Sequence, residues 1–189
     1  MEKYTIIADV GNALVSLLRE HMVPDVILNP ENIGLYHPEE KGDFMLGLYL
    51  YDIRESEEYR DSGRVSVDIT RQKYPSTYLS LCYMMTAYSN GDIKLRAAEE
   101  HKILGKAMQV LADYSILDSI TLQPMEKPAG RFVQIDFQAL SIEDKMRLWT
   151  VPNKAYRLSC FFKVGPVELE SAKTKTVSRV VSLDVAVEE

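Results

Sequence analysis

Little in this sequence is suited to chemistry. Histidine occurs three times in 189 residues, cysteine twice and tryptophan once. His21, His37 and His101 are widely separated, and none stands four residues from another, the spacing that sets two imidazoles on one helical face for a shared metal. Cys82 and Cys160 form no Cys-x-x-Cys pair, which removes the usual foundation of a zinc site or a redox dithiol. Both lie in apolar, strand-like runs, where a thiol packs as a small hydrophobe; a disulfide is the alternative. No Gly-x-Ser-x-Gly elbow occurs, against an α/β-hydrolase. Asp9-Val10-Gly11-Asn12 lacks the glycines and the Lys-Ser/Thr ending of a phosphate loop, and it falls inside helical periodicity. The acids of the Arg54–Arg64 stretch read as a solvated charge run. No catalytic residue, cofactor site or metal site is expected. His101 is the most interesting of the histidines, as a residue packed on a helix seam, a contact with a neighbouring subunit, or a catalytic base.

Other absences narrow the setting. No apolar run approaches the roughly 18 residues that a membrane-spanning helix needs, and Met1-Glu2-Lys3-Tyr4 opens no basic-then-apolar signal segment. The expectation is a chain that stays in the cytoplasm after synthesis and leaves the cell only inside an assembly, with no membrane partner. The formal net charge is -6 and the pI about 5.2, the opposite of the basic footprint of a nucleic-acid binder. No internal repeat or low-complexity tract is present.

What the chain does have is a globular composition, 46% hydrophobic and 26% charged, long enough to bury a core without a metal or disulfide staple. Apolar residues at three- and four-residue spacing predict a helix over Tyr4–Met22, ended by Pro24. Short extended pieces follow at Val26–Leu28 and Ile33–Tyr36. Phe44–Ile53 is apolar on both alternating sets, Phe44, Leu46, Leu48, Leu50 and Asp52 on one side, Met45, Gly47, Tyr49, Tyr51 and Ile53 on the other. That pattern predicts a strand covered on both faces. Arg54–Arg64 reads as a charged loop and Val65–Thr70 as a half-exposed strand or arm. Thr77–Tyr88 is a second strong strand. Asp92 caps a helix to about Tyr114, with Ala97, His101, Leu104, Met108 and Leu111 on its stripe, widened by Ile103, Ala107 and Val110. Phe132–Phe137 is a short strand. Ser141-Ile142-Glu143-Asp144 nearly matches a capping box and starts a short helix. Tyr156–Val164 is a strand interrupted by Gly165-Pro166 and resumed at Val167–Leu169, and Thr176–Val187 alternates as a tail strand. Five of the 11 tyrosines, Tyr49, Tyr51, Tyr78, Tyr83 and Tyr88, fall on the two strong strands, where they line an interface or pack the sheet. The sum is a single α+β domain: a mostly antiparallel sheet flanked by two long helices and one short helix, with residues 1–171 as the domain and 172–189 as a C-terminal tail.

Six segments in order resemble one family. They are Ile6-Ile7-Ala8-Asp9-Val10-Gly11-Asn12; Leu48-Tyr49-Leu50-Tyr51-Asp52-Ile53-Arg54-Glu55; Leu79-Ser80-Leu81-Cys82-Tyr83-Met84-Met85-Thr86-Ala87-Tyr88; Glu99-Glu100-His101-Lys102-Ile103-Leu104-Gly105; the Ser141–Thr150 helix with Leu148-Trp149; and Tyr156-Arg157-Leu158-Ser159 with Gly165-Pro166-Val167. Over residues 4–171 the chain is similar to the N-terminal domain of cap proteins in extracellular contractile injection systems, of the antifeeding-prophage and Photorhabdus virulence-cassette kinds. The resemblance implies a tail-terminator fold and a structural role. A homo-hexameric ring would sit at the baseplate-distal end, bind the sheath protein and the inner tube protein, stop their growth, and act as the final plug or as an adaptor beneath a second cap protein. Two other classes stay open on the residues alone: a small cytosolic enzyme and a generic peptide-binding adaptor.

Overall fold

The computed structural model describes residues 4–60, 63–66, 70–117, 132–150 and 155–176. In chain order the described elements are α1 (Ile6–Met22), β1 (Ile33–Leu35), β2 (Leu46–Arg60), β3 (Val65–Ser66), β4 (Arg71–Lys73), β5 (Thr77–Ala87), α2 (Ile93–Asp113), β6 (Ile116–Leu117), β7 (Val133–Phe137), α3 (Ile142–Thr150), β8 (Ser159–Leu169) and β9 (Thr174–Thr176). A six-stranded sheet has the order β1-β2-β5-β8-β7-β6, and β3-β4-β9 form a small second sheet. Among the described residues only the β1–β2 pair is parallel; the other pairs are antiparallel. This is the α+β architecture that the hydrophobic periodicity predicts.

The sheet is covered on both faces because its central strands are apolar on both. Leu46 and Leu48 of β2, Leu79, Leu81, Tyr83 and Met85 of β5, and Phe162, Val164 and Val167 of β8 pack against α1 and α2. Val10, Leu14, Leu18 and Met22, four residues apart on α1, are fully buried in this core. The opposite face carries a smaller cluster of Tyr36, Met84, Tyr88, Trp149 and Phe161, with Phe44, Tyr49, Tyr51, Leu140 and Leu148 against it. Trp149, 2% exposed, brings α3 onto this face. Burying each such large side chain contributes about 1.5–3 kcal/mol. Tyr78, Tyr83 and Tyr88 are buried in the sheet, so these tyrosines pack the protein rather than line a surface. Tyr83 stacks on Phe162 with centroids 5.5 Å apart.

Helix starts follow their local chemistry. The Asp92 carboxylate accepts from the Lys94 N–H at 2.8 Å. Ser141 Oγ accepts from the Asp144 N–H at 3.1 Å, the first half of a capping box, while the Asp144 carboxylate accepts from the Ser141 hydroxyl at 2.7 Å instead of from its backbone N–H.

Four sequence expectations are corrected. Val26–Leu28 is no strand: the Val26 and Ile27 amides both donate to the Met22 carbonyl, and the segment folds over the end of α1 with Ile27 buried. The Arg54–Arg64 stretch is strand as far as Arg60, because Arg54 and Glu55 keep their pairing with Ser80 and Leu79. The alternation of β2 does not persist to Ile53. Leu50 faces Tyr83 but Asp52 faces Cys82, leaving Tyr51 as an extra residue in a bulge; Asp52 thereby joins the Tyr49 side and Ile53 moves to the other. Finally, β8 is one strand through Gly165-Pro166. Leu79 pairs with Val167 and Leu81 with Val164, so these two residues make a bulge in which the missing proline N–H costs no ladder bond.

Candidate interface surfaces

The residues with chemical potential do not converge. His21, at the end of α1, stacks on Tyr114 at 4.3 Å. His37 lies edge-on to Tyr49 at 5.0 Å, and its Nδ1 accepts from the Glu39 N–H at 3.3 Å. His101 is exposed on α2, a correction to its expected place on the seam. The buried stripe is Ile103, Leu104, Ala107, Val110 and Leu111, and at 3.6 residues per turn His101 sits roughly 120° round from its centre. Ala97 and Met108 are exposed for the same reason. Asp9 to Asn12 lie within α1, where Gly11 allows close approach: a Cβ there would meet the Leu35 side chain at 2.8 Å. Cys82 and Cys160 are free. Burial raises both thiols, Cys160 to about 11, which keeps them protonated and poor nucleophiles. Among the described residues no three His, Cys, Asp or Glu side chains gather into a metal-binding group.

A polar cluster that the sequence reading missed fixes the first half of α2. No residue from Ile93 to Lys102 is buried. This half is held by Glu99, which accepts from Ser89 Oγ, and by Glu100, which accepts from the Ser89 N–H at 3.2 Å and pairs with Arg157 at 3.2 Å. The Arg157 guanidinium also lies 5.0 Å from the Tyr88 ring centre. The available signal was the change of the helix seam from Ile103, Leu104 and Ala107 to Arg96 and Glu100 one or two turns earlier. A seam that turns polar must meet polar partners.

Surfaces suited to contacting other chains are of two kinds. One is sheet edge. The small sheet ends in β9, whose three residues are all exposed. Beside it the Tyr74 ring has Lys173 Nζ at 4.6 Å and the Arg64 guanidinium at 5.1 Å, and Lys73 pairs with Glu170. The other kind is apolar side chain left in solvent. Ile142 and Met146 of α3 share a stripe with buried Trp149 yet are 61% and 53% exposed; Ile93 and Leu95 at the start of α2 are 78% and 59% exposed. Such residues, on a chain with two well-filled cores, suit contact with a partner.

Residues 9–182 match the model of the Pvc16 N-terminal domain. The chain belongs to that family. Two solved structures share the fold of this Pvc16 N-terminal domain protein. One is the sheath/tube terminator of an extracellular contractile injection system, PVC, in its extended state, with a TM-score of 0.69 and 18% identity over 97% of this chain and 63% of that one. The other is the tube-terminating cap of the anti-feeding prophage, with a TM-score of 0.63 and 19% identity over 95% of this chain and 61% of that one. The present chain thus spans about three fifths of the length of each. Among proteins of curated function no match was found. The mixed α+β sheet and its flanking helices are the shared core, and the assignment to this family agrees with the resemblance carried by the six sequence segments.

Proposed function

We propose that this Pvc16 N-terminal domain protein is a structural terminator of a contractile injection particle. It acts by binding, as a ring of six copies at the end of the tube and sheath opposite the baseplate. The observation that carries the reading is the family match over residues 9–182, together with a fold shared with a sheath/tube terminator and with a tube-terminating cap. The physical logic is direct. A growing tube or sheath presents the same unsatisfied surface after each ring, and a subunit that fits that surface without reproducing it stops growth. Six modest contacts carried on one ring reinforce one another through effective concentration. The sheath protein and the inner tube protein are the partners. A second cap protein above the ring is a further proposed partner. The chain is synthesised in the cytoplasm and joins the particle there.

Deleting the protein is expected to leave sheath and tube able to polymerise but with uncontrolled length or reduced stability, measured by electron microscopy of purified particles. Deletion particles of normal length and stability contradict the proposal.

A further inference from the structure

On the outer strand of the large sheet one outward carbonyl is held by a side chain, and we infer that Arg19 acts as an edge guard that keeps copies of this chain from adding to one another through β1. Alternate residues of a strand turn both backbone polar groups to the same side. Asn32 and Tyr36 bond toward β2: the Met45 amide donates to the Asn32 carbonyl at 2.8 Å, and the Tyr36 amide to the Leu48 carbonyl at 3.1 Å. Ile33 and Leu35 therefore turn their groups away from β2, where an unblocked edge would template a further strand, and the Ile33 N–H is already held by the Pro30 carbonyl. At Ile33 that place is taken. Arg19 Nε and Nη2 both donate to the Ile33 carbonyl, at 3.1 and 2.9 Å, and Nη2 also reaches a Glu31 carboxylate oxygen at 3.5 Å.

Arg19 projects from α1, whose Gly11 lets the helix lie against Leu35. The helix lies on the core face of the sheet, and from there the guanidinium reaches the outward Ile33 carbonyl of β1. Two charge-assisted bonds to one carbonyl are stronger than the single amide bond an added strand would offer, and they hold the carbonyl without extending the sheet. Glu31 is 75% exposed, so its ion pair contributes little; it orients the guanidinium. A subunit that ends a polymer must not itself polymerise, so closing this edge suits a terminator. The inference rests on the edge geometry, however, and survives even if the terminator reading fails.

The test is the apparent mass of the full chain by light scattering across a concentration series. Arg19→Met, which keeps the aliphatic stem and removes the donors, is expected to at least double that mass relative to the unchanged chain. Adding Leu35→Pro, which deletes the outward N–H of the same edge, is expected to restore it. A folded Arg19→Met protein of unchanged mass overturns the inference, as does a gain in mass that Leu35→Pro leaves in place. Should Arg19→Met fail to fold, Arg19→Lys decides. It retains charge and stem but lacks the paired donors, so it is expected to associate more than the unchanged chain, and equal masses overturn the inference.

Discussion

His101 and Tyr51 show how single positions depart from their sequence pattern. His101 stands three residues before Leu104 in an apolar-looking register, but the true stripe centres on Ile103, Ala107 and Val110 and leaves the imidazole in solvent. His101→Ala is accordingly expected to change stability by no more than about 0.5 kcal/mol, read by urea denaturation, with the fold unchanged by circular dichroism. Tyr51 occupies the bulge of β2 and packs edge-on to Phe161 at 6.0 Å. Burial pushes its phenol up to about 12 from the ordinary 10.0. The neutral phenol is the form that the folded protein favours. Its contribution is complete below the unfolded value near 10.0 and is lost as pH rises toward 12. Tyr36, Tyr83 and Tyr88 are raised in the same direction by burial. The melting temperature is therefore expected to fall across this alkaline window, and Tyr51→Phe to remove part of the fall. A Tyr51→Phe protein with the same alkaline slope as the unchanged chain contradicts the account.

At the scale of elements, the strands and helices with strong periodicity were legible and their irregularities were not. Thr77–Tyr88 is apolar along nearly its whole length, which marks it as a strand, and in the fold Leu79, Leu81, Tyr83 and Met85 enter the large core while Met84 and Tyr88 enter the smaller one. Register shifts broke the alternation elsewhere, at Tyr51, between Glu55 and Arg60, and at Gly165-Pro166, and none follows from a strand's own sequence because a bulge is defined by its partner's register. The polar cluster of Ser89, Glu99, Glu100 and Arg157 joins residues up to 68 positions apart, a distance over which periodicity says nothing. The tail is the remaining element. Its lead, Thr174–Thr176, pairs with Arg71–Lys73, and Thr176 stands opposite Arg71, the first residue of β4. The predicted tail strand over Thr176–Val187 lies outside the described residues beyond Thr176. We propose that the 172–189 tail reaches toward a neighbouring subunit or the last sheath ring. Truncation after Thr176 keeps β9. It is expected to leave the melting temperature nearly unchanged while ring formation or particle capping is lost. A truncated protein that unfolds assigns the tail to its own domain instead.

For the molecule as a whole, residue patterns reached the fold class, and the order of six segments reached the family. The role needed more than either, since among the described residues no metal-binding cluster announces it; we propose that it lies in edges and exposed apolar residues that acquire meaning only against a partner surface. The account's central claim is position. Cryo-electron microscopy of intact particles, with this chain located by its fold in the density, tests it most directly. The account predicts six copies in one ring at the end of the tube and sheath far from the baseplate, and nowhere else. Copies at the baseplate, or repeated along the tube, would contradict it.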